Sequence, residues 1–228
     1  MSADAYLAIA CPYCDAPARV AQTISPSTLG AITWTDGWMD APMMPRAPRI
    51  ARCPQCRKIY WLATATQLGL FSPGDPGEAA AILQTAPDLA ALDEAGCHEA
   101  LREGLAPTPD LELELRVFCW WRGNDAFREP DHAPGHSTAL DAIANMERII
   151  ELTHDVWEED LALFRAEALR HLGRFPEARE ALDRVGCSDY WPAKSRQLAL
   201  LDAASRDLGI LFSPECPPHL PGAEEDPG

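Results

Sequence analysis

Four cysteines stand in two pairs of identical spacing, Cys11-Pro12-Tyr13-Cys14 and Cys53-Pro54-Gln55-Cys56. Two residues between paired cysteines let one tight turn aim both thiolates at a common point. Two such pairs make the ligand set of a tetrahedral zinc site, each sulfur about 2.3 Å from the ion. Pro12 and Pro54 preset the turns by fixing φ, and amides in the same turns can donate to the sulfurs and spread their charge. One zinc ion closed in by Cys11, Cys14, Cys53 and Cys56 has no position left for water, so it would be structural and not Lewis-acidic.

Two details depart from the usual ribbon. Glycine commonly follows the second cysteine of a knuckle, where the backbone often takes positive φ; here Asp15 and Arg57 follow, and Asp tolerates that conformation better than Arg. The spacer between knuckles, residues 15–52, exceeds the usual span of about 15–20 residues. It must hold an insertion, for which Trp34-Thr35-Asp36-Gly37-Trp38-Met39-Asp40-Ala41-Pro42 is the candidate. A rival reading is redox chemistry, because Cys-Pro-Tyr-Cys is also the glutaredoxin active-site tetrapeptide, with its first cysteine at a helix N-terminus. The β-prone run at 18–21, the absence of a following βαβ pattern and the second Cys-Pro-x-Cys argue against it. Disulfide pairing or inert thiols are the remaining alternatives.

The elements that must position the cysteines are short and β-prone: residues 6–10, 18–21, 50–52 and 58–62. They flank the knuckles as two hairpins holding one metal would require. Pro42, Pro45 and Pro48 exclude regular structure between them, and Ser72-Pro73-Gly74-Asp75-Pro76-Gly77 reads as a linker. Beyond it the period turns helical, predicting helices over 78–92, 93–104, 138–153, 158–172, 176–185 and 192–208. Residues 111–122 alternate like a strand but also fit helical spacing, and their composition favours helix. The expected class is α+β: a β-rich zinc ribbon over 1–71, an all-α helical-hairpin domain over 78–212, and a disordered Pro-rich and acidic tail over 213–228.

Residues 166–182, Ala-Glu-Ala-Leu-Arg-His-Leu-Gly-Arg-Phe-Pro-Glu-Ala-Arg-Glu-Ala-Leu, resemble one tetratricopeptide-type helical hairpin. Gly173 would make the turn, Phe175 and Leu182 would wedge the pair, and Ala168 and Ala178 would let the helices approach. One repeat cannot bury its own faces, so neighbouring helices must stack on it. The chain around Cys53–Cys56 and Ile59-Tyr60-Trp61 resembles uncharacterised bacterial proteins with paired Cys-Pro-x-Cys motifs and following aromatic runs. That resemblance covers roughly residues 6–62 and the hairpin; it implies a zinc ribbon with a helical interaction domain, and no activity.

Net charge is −16, unevenly spread. Residues 1–66 hold six basic and four acidic side chains; the rest holds thirteen basic and thirty-one acidic. Such a surface repels nucleic acid and anionic membrane and attracts basic partners, or serves solubility alone. No basic stretch with a following apolar run precedes Cys11, so no secretory signal is expected. No apolar run approaches the ~20 residues of a membrane span. A reducing, cytoplasmic setting follows as the expectation.

Other candidates carry weaker patterns. Trp34, Trp38 and Trp61 could plug a small core around the metal or, beside Arg46, Arg49, Arg52, Arg57 and Lys58, form a platform for a base. Of the adjacent Trp120 and Trp121, one is expected in the core and one at a groove. His132 and His136 are separated by Pro134 and Gly135 and cannot form a helical metal pair. Cys216 and His219, and Cys97, His98, Cys119, Cys187, His154 and His171, have no ligating pattern. Glu158-Glu159-Asp160 reads as a helix start. No phosphate loop, nucleophile elbow or His-Glu-x-x-His motif is present. The functional expectation is a non-catalytic zinc-binding protein whose helical domain docks a basic or extended peptide segment of another protein. Alternatives are an acidic immunity-type inhibitor of a basic toxin or nuclease, an enzyme with the ribbon as accessory, and nucleic-acid contact by the ribbon.

Overall fold

The structure is a computed structural model, and it describes residues 5–23, 25–44, 47–76, 83–129, 131, 133, 135–155, 158–186 and 191–212. In chain order the strands and helices are β1 (Ala5–Ala10), β2 (Pro17–Gln22), β3 (Ile32–Trp34), β4 (Met39–Asp40), β5 (Ile50–Arg52), β6 (Ile59–Trp61), β7 (Thr66–Phe71), α1 (Glu94–Arg102), α2 (Pro109–Asn124), α3 (Leu140–Leu152), α4 (Glu159–His171), α5 (Phe175–Asp183), α6 (Trp191–Asp202) and β8 (Ile210–Phe212). The class is α+β, with small antiparallel sheets followed by helices. Among the described residues no helix is long and apolar enough to cross a membrane.

Two compact units form. The first comprises Met1–Leu29 with Ala41–Leu105, the second Gly30–Asp40 with Ala106–Gly228. This division differs from the 1–71 and 78–212 boundaries read from the sequence. The Pro- and Gly-rich stretch after Phe71 turns the chain inside the first unit, and residues 30–40 join the helices.

In the first unit β1 is the central strand of a sheet ordered β2-β1-β7, and β5 and β6 form a separate hairpin. Ile9, Ala18, Val20, Ala51, Tyr60 and Leu89 bury together with Cys11 and Cys53. Strands β1, β2, β5 and β6 lie within a residue or so of the expected runs. The helix expected over 78–92 is corrected beyond Gln84; residues 77–82 lie outside the described set. From Thr85 the chain turns and runs extended, because Pro87 has no N–H and biases Ala86 away from helix. The extended chain pairs instead with β2: the Arg19 amide donates to Pro87 O (3.0 Å) and the Leu89 amide to Arg19 O (2.9 Å). Helix α1 starts at Asp93, whose carboxylate accepts from the Gly96 amide (2.8 Å). It ends at Gly104 (φ 73°), where the Leu105 amide returns to Ala100 O at 3.1 Å. Arg52 grips Glu99 of α1 with two bonds of 3.0 and 2.7 Å, tying the helix to β5.

In the second unit α2 settles the strand-or-helix ambiguity of 111–122 as helix. Thr108 caps it, and Pro109 fits the first turn, where no N–H is needed. The α4–α5 hairpin turns at Gly173 (φ 78°), with the Arg174 amide returning to Leu169 O at 2.8 Å. Ala168, Ala178 and Leu182 are fully buried there, among Met146, Ile149, Trp120 and Leu169, with Phe175 half-buried beside them. Helix α6 stops at Asp202, short of the expected 208. Arg170 captures the following loop through Ser205 O (2.6 Å) and Asp207 O (2.8 Å), and the chain continues into β8. β8 pairs with β3, giving a sheet ordered β4-β3-β8.

The β3–β4 turn carries an Asp-Gly pair. The Gly37 amide bonds Trp34 O (2.9 Å), Gly37 takes φ 80°, and the Trp34 amide bonds Trp38 O (2.8 Å). This is a three-residue hairpin loop with a left-handed glycine. Its Asp36 carboxylate is fully buried and accepts from the Trp38 amide (3.1 Å), Asn124 (3.0 Å) and Arg128. Burial raises the Asp36 carboxyl, against the attraction of Arg128 and the Asn124 bond.

Candidate metal centre

The two knuckles are the tips of two hairpins. Cys11–Cys14 lies between β1 and β2, and Cys53–Cys56 between β5 and β6. Their backbones repeat one another. The Cys11 amide bonds Ala16 O (3.0 Å) as the Cys53 amide bonds Lys58 O (2.9 Å), and the Asp15 amide bonds Cys11 O (3.0 Å) as the Arg57 amide bonds Cys53 O (3.1 Å). Closing each turn this way forces the residue after the second cysteine into the left-handed region: Asp15 has φ 56° and Arg57 φ 66°. Positive φ at this position, the usual place of a glycine, was legible in the sequence; two side chains carry the strain here.

The hairpins bring the four Sγ atoms within 4.8 Å of one another. Each first cysteine faces the second cysteine of the other hairpin: Cys11 Sγ is 3.8 Å from Cys56 Sγ, and Cys14 Sγ 3.7 Å from Cys53 Sγ. A tetrahedron of sulfurs around an ion at about 2.3 Å has edges of about 3.8 Å, whereas a disulfide needs about 2.05 Å. The cysteines are free thiols so spaced that they could hold one ion. Cys11 and Cys53 are buried, Cys14 and Cys56 half-buried.

Burial pushes the Cys11 thiol up to about 12, against the amides of Tyr13 and Cys14. Burial opposes ionisation of Cys53 as well, but the Cys56 and Gln55 amides and the neighbouring thiols outweigh it and bring that group down to about 7. The Cys56 amide lies 3.4 Å from Cys53 Sγ. These amides form part of the polar shell that bound thiolates require. An all-sulfur, tetrahedral donor set suits zinc or iron. The glutaredoxin alternative fails on position, since β2 occupies the chain where that chemistry needs a helix.

No family model, curated protein or solved structure matches the chain.

The remaining sequence candidates fall elsewhere. Trp34 and Trp38 do not line the cysteine core; they belong to the second unit. There Trp38 meets Trp121 edge-on at 5.4 Å, and the Arg122 guanidinium lies 4.5 Å above its ring. An insertion that pairs with its own hairpin partner and with β8 can leave the sheet it interrupts. Trp61 stays in the first unit, where its Nε1 donates to Leu105 O (2.6 Å). Trp120 and Trp121 are both buried, correcting the expectation that one would face a groove. Helix α2 is covered on both sides, by α4 through Phe164 and His171 against Trp120, and by Trp38 against Trp121.

Lys58 sits over the exposed Tyr13 ring at 4.7 Å, and Arg52 is engaged by Glu99. His136 is buried and stacks on His171 at 4.6 Å; burial, then the positive surroundings of His171 and Arg206, brings His136 down to about 4. Cys97 and Cys119 are buried and lie in no disulfide. His132, Arg46, Cys187, Cys216, His219 and the 213–228 tail lie outside the described residues. Among the described residues the four cysteines are the one group of three or more ligating side chains close enough to hold an ion. A shallow cleft of about 350 Å³ opens beside the knuckles, lined by Ala16, Pro17, Pro54, Gln55, Thr85, Ala86 and Pro87, with no ionisable side chain in its wall.

Proposed function

We propose that the protein binds one structural zinc ion through Cys11, Cys14, Cys53 and Cys56, and that its helical unit docks another protein. The observation that carries the first half is the convergence of two hairpin tips on a space edged by sulfurs 3.7 and 3.8 Å apart. Four thiolates fill a tetrahedral shell, so the ion ties β1–β2 to β5–β6 and activates no water. Zinc has no redox chemistry of its own, and a reducing cytoplasm would keep the thiols available.

The second half rests on charge and repeat geometry. The helical unit holds twenty-six acidic and twelve basic side chains, and its α4–α5 pair has the glycine turn and alanine contacts of a tetratricopeptide-like hairpin. A basic or extended peptide segment complements such a surface, while nucleic acid and anionic membrane do not. The test compares the full wild-type chain with a variant carrying Glu151→Lys, Glu180→Lys and Asp183→Lys. Binding should weaken with salt for wild type and be lost in the variant. Equal recovery of the partner by both proteins at low and high salt refutes electrostatic docking.

A further inference from the structure

We propose that the stacked imidazoles of His136 and His171 form an acid-sensitive clasp, which opens when His136 takes up a proton and frees the 135–137 loop from the segment that leads into β8. The clasp lies within the helical unit and involves none of the four paired cysteines.

The geometry joins three parts of that unit. His171 closes α4, and the His136 ring lies on it with centroids 4.6 Å apart and planes 23° from parallel. Both rings are buried. On one side of His136, the Gly135 carbonyl accepts from the Leu208 amide (2.7 Å), just ahead of β8. On the other, the Ser137 amide donates to Asn124 Oδ1 (3.0 Å) at the end of α2. A move of the His136 ring therefore pulls on a backbone bond next to the strand that pairs with β3.

Neutral rings tolerate such a stack, whereas two imidazolium rings at 4.6 Å repel. The charges around the pair fall unequally. On α4, Glu167 Oε1 lies 3.2 Å from His171 Nε2, although both Glu167 oxygens already accept from Arg170 (2.6 and 2.9 Å). From the segment after α6, Arg206 Nε donates to His171 O (2.7 Å). From the β3–β4 turn, Asp36 acts on His171 and is itself paired with Arg128. Helix α2 adds the neutral ring of Trp120, edge-on to His171 at 5.6 Å. His136 Nε2 has no hydrogen-bond partner among the described residues, so a proton placed there meets no acceptor. Burial, then the cations His171, Arg206 and Arg170, bring His136 from 6.5 down to about 4.

A ring swung into solvent titrates near 6.5, the closed ring near 4. The clasp therefore holds at full strength above about pH 6.5 and weakens as pH falls. Opening gains about tenfold per pH unit below that value and about 300-fold by pH 4.

The test follows hydrogen exchange of the Leu208 amide in the full chain by NMR, corrected for the intrinsic pH dependence of exchange. Protection should be constant above about pH 6.5 and fall about tenfold per unit below it. The Arg174 amide, bonded to Leu169 O in the α4–α5 turn, should keep its protection over the same range. His136→Phe keeps a flat ring on His171 but takes no proton, so its Leu208 protection should not vary with pH. A pH-independent wild type, or the same slope in His136→Phe, overturns the inference. Loss of protection at Leu208 and Arg174 in step also overturns it, because acid then unfolds the whole unit rather than opening a clasp. Should His136→Phe fail to fold, the side-chain carbon shifts of His136 in the folded wild type decide. A midpoint below about pH 5, with the slope at Leu208, supports the clasp, and a higher midpoint overturns it.

Discussion

Asn124 Nδ2 donates a 3.0 Å hydrogen bond to Asp36 Oδ2 across 88 residues of sequence, and neither side chain reaches solvent. Arg128 pairs with the same carboxylate, and Trp121 Nε1 donates to Asp36 O at 2.8 Å. A turn inserted between two metal knuckles is thereby anchored in the helical unit. The anchor is a buried charge with every oxygen engaged, the arrangement that makes a buried ion pair hard to remove.

Asp36→Ala leaves the Arg128 guanidinium, 9% exposed, without that carboxylate. Truncating one partner of a buried pair costs about 3–5 kcal/mol. Urea unfolding followed by tryptophan fluorescence should show a loss of that size. Asp36→Asn, which keeps the Asn124 contact but not the charge, should fall between. A loss under about 1 kcal/mol for Asp36→Ala would mean the pair adds no more than a surface bridge.

Gly37 tests the same turn sterically. A Cβ there would lie 2.7 Å from Phe164 Cε1, on a backbone with φ 80°. Gly37→Ala should destabilise the helical unit by about 2–3 kcal/mol, strain and contact together. Gly30, also left-handed (φ 79°) but with open space at its Cβ, should cost only the backbone part of that when changed to Ala. Thermal melts of the two variants check the order, and a smaller effect at Gly37 than at Gly30 would contradict it.

How far these features were legible depends on the distance over which they are encoded. The knuckles and strands β1, β2, β5 and β6 are local, since proline turns and β-prone runs sit beside the cysteines they position. The α4–α5 hairpin is local as well, written in Gly173 and its flanking alanines. Which core an inserted hairpin joins is not local. Trp34 and Trp38 lie between the knuckles in sequence, yet what claims them is pairing with β8 and packing on α2. The Asp36-Gly37 pair between Trp34 and Trp38 is a hairpin signal and could have marked the turn, although nothing near it names Asn124 or Arg128 as partners. Strand β7 was obscured by Gly69 and the irregular register it sits in. The extended stretch from Thr85 depends on its pairing with Arg19, far away in the chain.

Acid sensitivity should trace to Glu112. Arg148 donates to both of its oxygens (2.9 and 3.0 Å) and Arg116 to one (2.8 Å), joining α2 to α3. The Arg148 bonds, helped by Arg116 and opposed by burial, hold its carboxyl well below the ordinary value of 4.5, at about 2. A depressed folded-state pKa gives stability that is complete above about pH 4.5 and is lost as pH falls toward 2. Since Arg148 is 41% exposed, solvent screening limits the contribution to about 1–2 kcal/mol. Glu112→Gln should flatten the stability profile between pH 4.5 and 2 by that amount; an unchanged slope would contradict the assignment.

The left-handed residues of the knuckles offer a gain of stability. Arg57 at φ 66° pays a conformational penalty that glycine avoids. Arg57→Gly should stabilise the metal-loaded first unit by about 0.5–1 kcal/mol, after allowing for glycine's greater freedom when unfolded. Asp15→Gly (φ 56° at the equivalent place) should gain less, because Asp accepts this conformation more readily. Calorimetry of both variants checks the sign and the order, and destabilisation by Arg57→Gly would contradict the strain.

Whether the four cysteines hold zinc is decided by metal stoichiometry of the full chain purified under reducing conditions, joined to the cobalt(II) spectrum of the same protein. The expected result is one zinc per chain, a cobalt spectrum of four thiolates in a tetrahedron, and loss of both on Cys14→Ser or Cys53→Ser. A metal-free chain whose cysteines are recovered as disulfides, or metal binding untouched by those two substitutions, would contradict it.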